Sequence, residues 1–125
     1  MRNLKAALFL LAIISAAEGV LLWFFPSATA TQLGISDTAS GFLFASLGAA
    51  SIAAAFIFVL AGFNPLANLN AVRFAILWCA LMILAEIYSL GADYVQWGHI
   101  WVMVALNLIF FISLVIFYPW KRSQD

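Results

Sequence analysis

Four apolar runs, Leu4 to Phe25, Ala39 to Phe63, Leu69 to Gly91 and His99 to Tyr118, follow one another along the chain with short connections between them. Each is long enough to cross a hydrocarbon layer of ~30 Å at ~1.5 Å rise per residue. That repetition decides the class of fold. Hydrocarbon offers the backbone no hydrogen-bonding partner, so a spanning segment must satisfy its N–H and C=O groups internally, as a helix does. A closed barrel is the other solution, but its strands alternate apolar and polar residues, and these runs do not. The expectation is an all-α fold, an integral membrane four-helix bundle forming a single transmembrane domain over residues 1–125.

Helix-breaking chemistry falls where the runs end. Pro26 closes the first, Asn64-Pro65 the second, Gly91-Ala92-Asp93 the third and Pro119 the fourth. All three prolines lie at junctions. The longest connection, Pro26 to Ser40, leaves room for one short interfacial helical turn over Ala28 to Leu33, capped by Gly34. The N-terminus shares parts of a secretory signal, with a basic Met1 to Lys5 and small residues at Ser15 and Ala17. Its apolar stretch continues through Phe25, beyond a typical signal core, so it is read as the first span.

Cations set the orientation. Arg2 and Lys5 precede span one, Arg73 sits at the connection from span two to span three, and Lys121 and Arg122 follow span four. The two opposite connections, Ser27 to Thr38 and Asp93 to Gly98, carry none, and cytoplasmic loops are the ones enriched in Lys and Arg. This predicts an N-in/C-in topology, in a bacterial cytoplasmic membrane. Trp23, Tyr94, Trp97 and Trp101 then form an outer aromatic belt, with Tyr118 and Trp120 at the inner interface.

Composition closes several functional classes. Hydrophobic residues make up 67% and charged residues 8%, against about 25% charged in a soluble domain, so lipid is the main solvent and the bilayer the first partner. Five Lys and Arg balance five Asp and Glu, which leaves no basic excess for a nucleic-acid backbone. A lone cysteine, Cys79, excludes an intrachain disulfide, and a thiol in an apolar run is a poor nucleophile. One histidine excludes bis-imidazole haem ligation within one chain. No Walker loop, dinucleotide fingerprint, HExxH or Gly-x-Ser-x-Gly occurs, so no cofactor and no enzymatic activity are expected.

Helices in lipid associate through close packing of small residues. Span two offers Gly41, Ala45, Ala49 and Ala53 at intervals of four, flanked by Gly48, Ser51 and Ala55, and span one offers Ala12, Ser15, Ala16 and Gly19. These residues are expected to form the helix contacts. Span four, dominated by large residues from Leu106 to Phe117, is expected to face lipid for much of its length.

A charge inside a span costs about 2.5–3.5 kcal/mol on insertion scales, so each one needs a reason. Glu18 and Glu86 are the two clear cases, each about two-thirds of the way across, and so at one level. Helical spacing puts Cys79, Met82, Glu86, Ser89 and Asp93 on one stripe of span three, and His99 and Asn107 on one side of span four. Glu18, Glu86, Asp93 and His99, with Tyr88 and Tyr94, therefore suggest an acidic, aromatic-rimmed pocket in the outer half. Three roles compete for it. The carboxyls act as neutral hydrogen-bond donors that fix packing, as proton carriers coupled to a cation or small organic solute, or, with Glu86, Asp93 and His99, as mixed N and O metal ligands. The packing role ranks first and the metal role last.

Ala17-Glu18-Gly19, Phe25-Pro26 followed by Leu33-Gly34-Ile35, the small-residue span from Gly41 to Ala55 and Arg73 at the start of span three together resemble small bacterial four-helix membrane proteins of the BphX-like and DoxX-like type. That resemblance implies the same four-span plan and no particular activity. Ala17-Glu18 also looks like the Glu-bearing first helix of small multidrug resistance transporters, four-span chains that work as dimers, but their Trp-x-Gly element is missing here. The expectation for function is an accessory or assembly subunit of a membrane complex, partnered by other membrane proteins or by itself. The rival is a small proton-coupled transporter working as a homodimer through Glu18 and Glu86.

Overall fold

The computed structural model describes residues 1–34 and 41–120, which are helical with no strand. There are five helices, α1 (Arg2–Phe24), α2 (Pro26–Gln32), α3 (Gly41–Phe63), α4 (Leu69–Gly91) and α5 (Trp97–Phe117). All but α2 are long and apolar enough to cross a membrane. Ile35 and Ala39, together with Lys121 and Arg122, lie outside the described residues, so the start of the second run is seen from Gly41 onward.

The boundaries follow local chemistry. Phe25 leaves the helical region (φ −130, ψ 55) because a residue before proline is pushed out of it. Pro26 then opens α2 at its first position, where its missing N–H is no loss. The expected interfacial turn thus exists, starting two residues earlier than Ala28. It ends at Gly34, whose φ of 73 suits a residue without Cβ. The Thr29 hydroxyl reaches back to the Leu21 carbonyl at 3.1 Å and the Phe25 carbonyl at 2.8 Å, fastening α2 to the end of α1.

Asn64 and Asn68 build the connection from α3 to α4. The Asn68 amide donates to the Asn64 carbonyl at 2.9 Å, and the Asn64 side chain accepts from the Ala67 N–H at 3.3 Å. α5 begins at Trp97, not His99, because Gln96 takes the extended flanking position (φ −107, ψ 148) and Gly98 is absorbed into the first turn. It ends as Tyr118 turns extended (φ −63, ψ 135) ahead of Pro119.

Consecutive long helices pack side by side and antiparallel, and α5 returns to α1, closing a four-helix bundle. One end of the bundle holds the start of α1 and the end of α5, and we call it the termini end. The other carries α2. The apolar core occupies the half toward the termini end. Leu4 and Leu8 of α1, Phe58 of α3, Val72 and Cys79 of α4 and Leu114 of α5 are all fully buried there.

The most intimate seam joins α1 and α3. A Cβ on Gly19 would lie 2.7 Å from the Gly48 carbonyl oxygen, and one on Gly48 would lie 2.6 Å from that of Gly19, so backbone rests on backbone. Nearer the termini end the Phe9 ring covers Gly62 and meets Phe63 edge-on at 5.4 Å. Ser15, Gly19 and Gly48 therefore sit in the seam as expected, and all three are buried.

The rest of the expected small-residue line is corrected. Gly41 has open space where a Cβ would go, Ala53 is exposed, and Ala45 and Ala49 are half-buried. The line that packs on α3 runs through Gly48, Ser51, Ala55, Phe58 and Gly62. The reason is geometric. At ~3.6 residues per turn, a strict four-residue step drifts by ~40° each time, whereas alternating steps of three and four stay on one face.

Candidate functional site

Toward the α2 end the interior changes character. Among the described residues the buried polar or charged side chains, Ser15, Ser51 and Glu86, lie beyond the apolar core on that side. Glu86 is carried near the end of α4, but a helical side chain leans toward its own N-terminus. Its carboxyl accordingly meets Asn107 near the middle of α5, whose amide donates to Glu86 Oε1 at 2.7 Å. Glu86 itself is only 7% exposed.

Its other oxygen has no such partner. Oε2 is buried, and no hydrogen-bond donor or acceptor among the described residues reaches it. A buried polar atom left alone costs about 1–3 kcal/mol, which makes it an anomaly that calls for an explanation. Glu18 is half-buried on α1. It stands about as far along α1 as Glu86 does along α4, and these two helices run parallel, so the carboxyls lie at a similar height.

The remaining sequence candidates divide from this pair. Asp93 occupies the turn after α4 with a φ of 60 and is exposed. Tyr88 and Tyr94 face outward, 67% and 65% exposed, and pack on one another with ring centroids 6.2 Å apart. His99 is exposed in the first turn of α5, its ring lying against Gly34, where an added Cβ would be 2.9 Å from Cδ2. The single pocket expected from spacing is thus two places, an interior one with the Glu86–Asn107 pair and the half-buried Glu18 at a similar height, and an exposed rim at the α2 end.

Chemistry at the cluster is limited to what two carboxyls and an amide do: bind a proton, share one, or hold a cation. Among the described residues no three His, Cys, Asp or Glu side chains gather to hold a metal ion, and Glu86 is separated from Asp93 by burial as well as by two helical turns. Asn107 is the site residue that sequence reasoning does not single out. Its signal was an amide at the centre of an otherwise apolar span, where an unsatisfied polar group is expensive. Comparison with protein-family models, with curated proteins and with solved structures finds no match.

Proposed function

We propose that the chain is a non-enzymatic, multi-pass integral membrane protein, N-in and C-in, that exchanges protons for a small cationic solute through Glu18 and Glu86, working as a homodimer. One observation carries this reading: a buried carboxyl, Glu86, holding one oxygen on Asn107 and leaving the other without a partner, with a second carboxyl, Glu18, at a similar height on α1. A solute cation or a proton supplies what Oε2 lacks, and two neighbouring acids resist holding two negative charges, so they favour binding one or the other. Exchange is charge-balanced, one proton leaving as one monovalent cation enters. The apolar core on the termini side closes the path inward, which fits a carrier with alternating access and not an open channel.

The test is proton-driven uptake of a panel of small organic cations into vesicles containing the purified protein. Glu86→Gln and Glu18→Gln keep shape while removing ionisation, so both are expected to insert normally and lose pH-driven flux. Undiminished flux in both variants excludes a carboxyl carrier. A second reading, an accessory subunit of a membrane complex, is favoured by the small residues Gly41, with open space around it, and Ala53, which is exposed, on a line whose Ala45 and Ala49 are only half-buried by the bundle. Gentle extraction distinguishes them: a stoichiometric protein partner supports the subunit, and a homodimer with bound solute supports the carrier.

A further inference from the structure

We infer that Arg73 and Tyr118, at the termini end, form a binding site for the phosphate of an anionic phospholipid. Arg73 lies in the second turn of α4, and its guanidinium is held in place from two sides. Nε donates to the Tyr118 hydroxyl at 2.7 Å, and Nη1 donates to Asn70 Oδ1 at 3.1 Å. The ring of Tyr118 lies beneath it, 6.0 Å from centroid to Cζ. Tyr118 is in turn immobile, 5% exposed and packed edge-on against Trp120 at 4.7 Å. A guanidinium so fixed loses little freedom when it binds, and its fork matches a phosphate.

The surroundings say what kind of phosphate. Arg73 borders two hollows. One, of about 560 Å³, is formed by the end of the α3–α4 connection and the first turn of α4, Leu66 to Ala71, where the amides of Asn68 and Asn70 supply polar groups. The other, of about 260 Å³, is lined among the described residues by Arg73 with Ile76, Tyr118 and Trp120, an aliphatic and aromatic wall. A cation set between a polar hollow and an apolar one suits a ligand with a charged head and a hydrocarbon body. Beside the apolar hollow, α4 continues with the exposed Phe74 and Leu77, along which an acyl chain can lie. Glu18, Glu86 and Asp93 all belong to the other half of the bundle, so no carboxylate among the described residues neutralises Arg73. The inference rests on membrane insertion as proposed above, but not on the Glu18–Glu86 cluster.

The experiment adds phosphatidylglycerol or phosphatidylcholine to the full chain in detergent and counts bound lipid by native mass spectrometry. One phosphatidylglycerol per chain is expected to persist in preference to phosphatidylcholine. Arg73→Gln is expected to lower its occupancy at least tenfold, and Arg73→Lys less, because the charge stays while the fork is lost. Tyr118→Phe, which keeps the ring and removes only the hydroxyl that holds Nε, is expected to lower it several-fold, and it carries the test if circular dichroism shows Arg73→Gln to be unfolded. Arg2→Gln and Lys5→Gln, cations at the same end, are expected to leave occupancy unchanged. Equal loss from those two, equal retention of phosphatidylcholine, or displacement of the lipid by millimolar inorganic phosphate would each overturn the inference.

Discussion

At the scale of single residues, two contacts decide how the bundle holds together. Gly19 and Gly48 let α1 and α3 meet backbone to backbone, and the atoms facing each missing Cβ include main-chain atoms of the partner helix that cannot swing aside. Gly19→Ala and Gly48→Ala are therefore each expected to force the helices apart and cost about 1–3 kcal/mol, as overpacking does. Gly98→Ala, with nothing within 4 Å of the new atom, is expected to be neutral in the same detergent melting experiment. Glu86 and Asn107 follow a different logic, because the Asn107 amide satisfies one Glu86 oxygen inside an apolar layer and leaves the other without a partner. Asn107→Leu alone leaves both Glu86 oxygens without their partner and is expected to destabilise by about 1–3 kcal/mol, whereas the double change to Leu is expected to recover most of the loss. A thermal-melting cycle of the four proteins measures that coupling. Recovered stability without recovered flux would show that the pair is kept for its chemistry. Of this cluster, Glu18 and Glu86 were legible in the sequence, since a carboxyl in an apolar run is conspicuous. Asn107 was not, because which of several facing groups an acid meets depends on the register of α4 against α5, and no spacing within one run contains it.

Elements were easier to read than their contacts. Hydropathy and the three prolines place the ends of the long helices within two residues where the described residues include them, because a proline disfavours the helical conformation in the residue before it. The contact face of α3 was misjudged, because several small residues recur along that helix and only the partner selects among them. Two polar contacts, Arg73 with Tyr118 and Glu86 with Asn107, now fix the register of α4 and α5 at separate heights. The short α2 depends on a smaller device. Gly34 adopts a left-handed backbone and lets the His99 ring lie against it, joining the end of α2 to the start of α5. Gly34→Ala is expected to cost about 1–2 kcal/mol from backbone strain, with a further loss from the collision with His99. Adding His99→Ala is expected to return only the second part. Full recovery in the double variant, measured by melting, would mean that the backbone conformation at residue 34 is not strained.

Across the whole molecule, charge is sorted by end. Among the described residues Arg2, Lys5 and Arg73 lie at the termini end, while Glu18, Glu86 and Asp93 lie in the half that carries α2. Large apolar side chains cover the outside between them, with Phe42 80% and Phe56 67% exposed, a surface suited to lipid. A fold with short connections and cations at one end is expected to insert with that end in the cytoplasm, since retaining Lys and Arg there is what orients a polytopic chain. The lone cysteine makes this directly measurable. Cys79 is fully buried in the apolar core, so the unaltered protein supplies a silent background for thiol labelling. Ser27, Gln96 and Asn70 are exposed, the first two at the α2 end and the third at the termini end. In intact cells a membrane-impermeant maleimide is expected to label Ser27→Cys and Gln96→Cys, and to reach Asn70→Cys only after permeabilisation. The opposite pattern would invert the topology and put the Arg73 hollow on the outer leaflet. Labelling of all three in intact cells would mean that the bundle does not separate two compartments, and the carboxyl pair would then have no gradient to use.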